Sequence, residues 1–414
     1  MSYNEKIIRA AFNRYELIQT ILKMRKYSVL IAAIVVNICL GGIYAWSIFV
    51  PELVKNYGYN TTQTQIVFGT IICLLTFTIL FTGRLENILG PRLMIVICGL
   101  LIFISYTAAG HSGTNFFALW LGYGVITGIA IGFGYVCVLA VIMRWFENRK
   151  GFACGMVVAG YGFGAVILSF ISQAFLNRGW DVMNIFKIIG IIFGTAICIC
   201  AIIIKNPDGY SSKTIAATIK YHHIIRKPRF YILAITTGLG TFPGLMILGN
   251  LKPMVLSFGY KSSIAVLAIS LISMGNAFGR VAGGAMHDRF KASTIKAVLI
   301  MVSLSSLLLA GDMGGGFVFL AVILFAGVSY GGMIANIPSQ VADEYGHKNF
   351  GMIYPIVFLV HGITAVIAAP LGGYIYDKYN TYQPAILIAA GIGLICLMCF
   401  SFAYRREQVL KVKG

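Results

Sequence analysis

One full charge sits inside an apolar stretch of this sequence. Arg280 lies in the segment Ile264 to Ala285, eight residues before Asp288. At about 1.5 Å per helical residue it is about 12 Å in from the polar end, a depth from which snorkelling is difficult. A cation kept there is costly, and a guanidinium fork matches a carboxylate through two parallel hydrogen bonds. The alternative is a structural arginine satisfied by backbone carbonyls. Asn276 stands one helical turn earlier on the same face, where it can steady the guanidinium, touch a ligand or bond a neighbouring helix. His361 lies ten residues after Gly351, about 15 Å along a helix and so near the depth of Arg280. An imidazole, with its ordinary pKa near ~6.5, can take up a proton with an anion and release it later, or it can serve as a neutral core hydrogen-bonding group. Tyr330, Tyr135, Tyr161, Tyr44 and Trp46 fall in other apolar stretches. Phenols there can donate to a carboxylate while their rings cover a short alkyl chain, and mid-depth aromatics can equally be packing.

The elements that must position these groups follow from composition. Of 414 residues, 58% are hydrophobic and 11% charged, against roughly 25% charged in soluble domains, and the mean hydropathy is +0.85. Apolar runs of about 20 residues, enough to cross a roughly 30 Å hydrocarbon layer, recur along almost the whole chain. The pattern predicts an all-α polytopic membrane protein with twelve transmembrane helices in two six-helix bundles. Its segments are an N-terminal segment 1–26, a first bundle 27–204, a polar linker 205–229, a second bundle 230–404 and a tail 405–414. The N-terminal segment lacks the apolar run of a cleaved signal peptide.

The net charge of +19 does not describe a nucleic-acid surface, because the basic residues gather at span ends in alternate loops. Outside the spans, only Lys55, Arg178, Lys187, Lys252, Lys261 and Lys378 fall on one side, and the remaining Lys and Arg fall on the side holding both termini. That asymmetry predicts cytoplasmic termini. Short loops and the absence of an organellar presequence fit a prokaryotic inner membrane. The nine cysteines lie in or beside apolar stretches, with Cys396 and Cys399 the one C-x-x-C pair, and read as small core residues. No metal or cofactor motif stands out, and the Gly-rich fragments, lying inside apolar spans without a βαβ context, are not nucleotide sites. No metalloprotease or nucleophile-elbow motif supports an enzyme.

The two halves echo each other at a spacing of about 200 residues. Gly83-Arg-Leu-Glu-Asn-Ile-Leu-Gly-Pro-Arg92 follows the second span, and Gly284-Ala-Met-His-Asp-Arg-Phe-Lys291 follows the eighth. Asn148-Arg-Lys-Gly-Phe152 is echoed by His347-Lys-Asn-Phe-Gly351. A two-by-six chain with a repeated G-x-x-x-D-R-like turn resembles the major facilitator superfamily. Within it, the run Arg144 to Gly164, Tyr44-Ala-Trp-Ser47 and Asp343 to Gly351 resemble the oxalate/formate antiporter and monocarboxylate transporter group, over the chain from the first span to the twelfth.

The resemblance implies alternating-access transport of small carboxylates by a single chain, with no cofactor. It implies that Arg280 is the anion anchor and that Tyr330 and Tyr135 line the cavity. In many monocarboxylate transporters Asp occupies the place of Asn276, and dicarboxylate exchangers carry a Lys nearest to Val357. The turn residues Asp288, Arg289, Asn87 and Arg92 are the implied gating positions, with Asn87 standing where the family usually has Asp. One fixed cation plus one switchable imidazole suits symport of a monocarboxylate such as L-lactate or pyruvate with a proton. Carboxylate exchange of the oxalate/formate type is the alternative, and a non-transporting receptor a remote one.

Overall fold

The structure is a computed structural model that describes residues 24–207, 227–311 and 316–413. Twelve helices among those residues are long and apolar enough to cross a membrane. They are α1 Met24–Ile48, α2 Thr61–Leu89, α3 Pro91–Ala109, α4 Phe116–Trp145, α5 Gly151–Asn177, α6 Val182–Ile203, α7 Pro228–Ser257, α8 Ser262–Phe290, α9 Ala292–Ala310, α10 Gly316–Tyr345, α11 Met352–Tyr379 and α12 Gln383–Tyr404. They form two six-helix bundles. Residues 1–23 and 208–226, parts of the expected N-terminal segment and linker, lie outside the described residues. The last helix runs on to Lys413, through the segment expected as a tail.

Local sequence sets the boundaries. Asn60 and Gln63 form a reciprocal capping box at the start of α2. Asp181 accepts from the Met183 amide at the start of α6. Between α2 and α3 the chain reverses at Gly90 (φ 77°) with Pro91 following. The equivalent reversal between α8 and α9 falls on Lys291 (φ 49°), a left-handed conformation that glycine would adopt more cheaply. The bundle surface is apolar. Phe77, Phe103, Ile192, Ile199, Val281 and Ile367 are among many large side chains left exposed on the helices, as a protein bathed in lipid requires.

The bundles meet along two seams, α2 against α11 and α5 against α8. Small residues make those seams close: a Cβ on Gly69 would lie 2.6 Å from the Ala365 carbonyl oxygen, and one on Gly362 would run into Thr76. At one end the seam is tied by polar contacts. Asp377 of α11 accepts hydrogen bonds from the Thr61 and Thr62 amides at the start of α2 (2.9 and 2.8 Å), a charge well placed at a helix N-terminus. Lys252 of α7 donates to the Ile48 carbonyl (2.9 Å) and to Gln173 Oε1 of α5 (3.0 Å).

Lys252 corrects an expectation. Counted with the connections of the less basic side, it lies inside α7 and is 1% exposed. The helices also outrun the apolar stretches, so carboxylates enter them: Glu86 is in the last turn of α2 and fully helical.

Candidate substrate-binding site

A cavity of about 480 Å³ opens between the bundles at the end opposite the Lys252 and Asp377 ties. Its rim includes Gly83, Met143, Pro338 and Phe350, near the ends of α2, α4, α10 and α11. Ile72, Leu75, Leu139, Ile334, Phe358 and the ring of Tyr354 make the walls mostly apolar. At the inner end stand Arg280, Tyr44, Tyr135, Tyr161 and His361.

Backbone proximity places Arg280. α8 and α10 touch so closely that a Cβ on Gly279 would lie 2.1 Å from the Val328 carbonyl oxygen, and one on Gly331 would lie 2.0 Å from that of Asn276. The face of α8 holding Asn276 and Arg280 is thereby fixed against the second bundle. Arg280 donates through Nε to Asn276 Oδ1 (3.2 Å), through Nη1 to the Tyr135 hydroxyl (3.3 Å) and through Nη2 to the Tyr44 hydroxyl (3.5 Å). No described carboxylate lies within ion-pair distance of it. The guanidinium is therefore held by neutral acceptors, in long bonds, beside an open cavity. Each phenol oxygen accepts from the arginine and keeps its own proton free to donate elsewhere.

Tyr44 owes its position to a break in α1, which tightens to a 3-10 helix over Gly42–Ile48. Gly41 permits the break to press on α5: a Cβ there would meet the Tyr161 carbonyl oxygen at 1.8 Å. Tyr161 packs edge-on against both Tyr44 and Tyr135, with ring centroids 5.5 and 5.4 Å apart. Tyr330 sits behind the cavity wall, 1% exposed, beside the Tyr44 hydroxyl. Trp46 does not reach the cavity. Its indole donates to the Thr64 carbonyl (3.1 Å), and its ring stacks on Tyr123 in the first bundle.

His361 is 3% exposed and stacked on Phe358. Its Nδ1 lies 3.0 Å from the Thr241 hydroxyl of α7. Thr241 already donates its single proton to the Thr237 carbonyl at 2.7 Å, so it must accept from Nδ1–H, which leaves Nε2 as the basic nitrogen of a neutral ring. Val357, one turn earlier, is buried among apolar residues.

The expected turn residues Asn87, Arg92, Asp288 and Arg289 are exposed. Among the described residues none makes a hydrogen bond across the seam, and Arg289 rests on the Phe290 ring. The buried polar groups lie one position earlier. Glu86 pairs bidentately with Arg144 of α4 (2.5 and 2.8 Å). His287, 1% exposed, bonds Asn336 Oδ1 (2.9 Å) and Asp343 Oδ2 (3.1 Å) of α10. The Asn336 amide nitrogen donates to the Gly332 carbonyl, so the amide oxygen of Asn336 and the carboxylate of Asp343 both face the His287 ring. Sequence reading passed over both pairs because the turn motif drew attention to its exposed members. The signal that could have found them was the spacing, with 86 and 287, like 144 and 343, about 200 apart. No group of three or more His, Cys, Asp or Glu able to hold a metal occurs among the described residues.

The sequence profile of the Major Facilitator Superfamily matches residues 30–360 and 297–413. Similar proteins include the MFS-type transporter YhjX of Escherichia coli K12, 27% identical over 82% of this chain and 86% of that protein. The oxalate:formate antiporter of Oxalobacter formigenes is 24% identical, with 91% of each chain covered. Monocarboxylate transporter 12 of Xenopus laevis is 22% identical over 93% of this chain and 90% of that one. Among solved structures, the nucleoside transporter NupG superimposes with a TM-score of 0.75 at 13% identity, covering 91% of this chain and 99% of its own. A bacterial homologue of the human lysosomal transporter Spinster, inward-facing and unoccupied, gives 0.72 at 14% identity over 92% and 97%. The twelve-helix architecture, the cavity between its halves and the profile match lead to one identification: the chain belongs to the Major Facilitator Superfamily and is a multi-pass membrane transporter.

Proposed function

We propose that this transporter carries a small monocarboxylate, of the lactate or pyruvate size class, together with a proton. The observation that carries the reading is Arg280, a cation in the cavity with only neutral partners. A carboxylate entering the cavity replaces those long bonds with a bidentate pair, and the Tyr44 and Tyr135 hydroxyls turn their protons to it. The apolar wall beyond the guanidinium suits a short alkyl chain better than a second charge. A protonated His361 and Arg280 repel each other, and an anion between them removes that repulsion, so anion and proton load together.

Release of both, and the return of the empty carrier, then follow by rocking of one bundle against the other. The same reading puts both termini in the cytoplasm of a prokaryotic cell, on the strength of the basic-residue asymmetry, and takes the single chain as the working unit. The cavity then faces the cytoplasm. Exchange of carboxylates is the second reading, favoured by the likeness to the oxalate:formate antiporter; the apolar Val357 speaks against it.

Uptake of labelled L-lactate into liposomes containing the purified protein tests the proposal, with and without an inward proton gradient and with empty or oxalate-loaded interiors. Stimulation by the gradient in empty vesicles is expected. Uptake into oxalate-loaded vesicles alone would replace symport with exchange, and absence of carboxylate uptake in every condition would remove the reading.

A further inference from the structure

Lys252 is a buried ammonium whose two hydrogen-bond acceptors carry no charge. It links the bundles at the sealed end, donating from α7 to the Ile48 carbonyl and to Gln173 of the first bundle. Glu52 of the neighbouring helix Val50–Tyr57 acts on the ammonium only through space, its carboxylate accepting a hydrogen bond from Asn56 (3.3 Å). A lysine that only fastened a seal would do so at lower cost as a neutral donor, or opposite a carboxylate.

A second observation lies beside it. Gln65 of α2 is 0% exposed, and neither its amide oxygen nor its amide nitrogen has a hydrogen-bond partner among the described residues. It presses on α7 at Gly249, one turn before Lys252, where a Cβ would come within 2.5 Å of the amide oxygen. The hydroxyls of Ser47 and Ser172, the neighbours in sequence of the two Lys252 acceptors, are likewise buried without partners among the described residues. Native proteins leave few such groups unsatisfied. Here they collect where two bundles meet that must part in the transport cycle.

When the bundles part, Ile48 and Gln173 move away with the first and Lys252 stays with the second. The ammonium and the Gln65 amide then face the opened vestibule. We propose that Lys252 and Gln65, with Ser47 and Ser172 at the margin, form an outer carboxylate-binding site that captures the anion before it reaches Arg280. In the sealed state the Ile48 carbonyl and Gln173 occupy the ammonium in place of the ligand. Arg280 and Lys252 thus serve the two access states in turn: α8 places the first 18 residues from Ser262, about 27 Å in from the sealed end, and α7 places the second about 8 Å in.

The proposal rests on the carboxylate reading of Arg280, and the test separates the two. Uptake of labelled formate, L-lactate and oxalate is measured from the Lys252 side in intact cells expressing the full chain, and from the cavity side in inside-out membrane vesicles, with inserted protein equalised. Lys252→Met is expected to raise KM from the Lys252 side about tenfold, as loss of one charge-assisted contact does. KM from the cavity side stays within about twofold, and Lys252→Arg restores much of the loss. A lysine acting only as a latch gives the opposite sign, because its removal loosens the seal and lowers or leaves unchanged the KM on its own side; that result overturns the site. If Lys252→Met does not insert, Gln65→Leu decides by the same criterion, since it removes an anion-facing donor without touching the latch. A wild-type protein that takes up none of the three carboxylates from either side removes the Arg280 reading itself, whereas wild-type transport with an unmoved KM in both variants removes the outer site alone.

Discussion

The two bundles repeat one polar contact with the acidic partner exchanged between the helices. In the first, a carboxylate on α2, Glu86, meets a guanidinium on α4, Arg144; in the second, an imidazole on α8, His287, meets a carboxylate on α10, Asp343. The first pair is bidentate, and its side chains are 5% and 16% exposed. In the second, Asp343 is 39% exposed and shared with Lys291. The same division runs through the cavity. The first bundle supplies phenols, Tyr44, Tyr135 and Tyr161, while the second supplies the two bases, Arg280 and His361. The repeated architecture thus keeps a bidentate ion pair inside the first bundle and places both cavity bases, Arg280 and His361, on the second.

Paired substitutions in the two halves test this difference. The largest effect on stability belongs to the first bundle: Glu86→Gln leaves Arg144 in place without its carboxylate and is expected to cost about 3 kcal/mol, read as a lowered midpoint of thermal unfolding in detergent. His287→Gln at the equivalent place is expected to cost roughly 1 kcal/mol, because the Asp343 side of that contact is solvent-screened. Equal losses at the two positions would mean that the asymmetry between the halves carries no energetic weight.

Within the cavity the order reverses. His361→Gln, in the second bundle, is expected to abolish stimulation of uptake by an inward proton gradient while gradient-independent uptake persists; an unchanged pH dependence would move the proton off His361. Tyr135→Phe, in the first bundle, removes one acceptor from Arg280 and one donor to the anion. It is expected to raise KM about fivefold, the equivalent of roughly 1 kcal/mol. The smallest effect is expected at Trp46→Phe, which keeps the ring stack on Tyr123 and loses only the bond to Thr64; KM should move less than about twofold.

Much of this was legible in the sequence, and the residues show why. Apolar length alone set the twelve spans to within a few residues, because lipid demands uninterrupted helices. Arg280 was visible because a charge in an apolar run has no cheap explanation, and the depth arithmetic brought His361 to the same cavity. Lys252 was hidden, since near a span end a lysine reads as a connection until packing buries it. Trp46 was misleading because which side of a helix faces the cavity depends on the 3-10 break at Gly42–Ile48, which no period in the sequence announces. Thr241, which fixes the tautomer of His361, comes from a different helix and offers no local pattern at all.

The central claim is that Arg280 anchors the carboxylate, and the most direct measurement is labelled L-lactate uptake by liposomes holding equal amounts of wild-type, Arg280→Lys and Arg280→Ala protein under an inward proton gradient. The account expects Arg280→Ala to fall to the level of protein-free vesicles and Arg280→Lys, which keeps the charge without the planar fork, to retain a small fraction of wild-type uptake. Wild-type KM and rate in Arg280→Ala would contradict it.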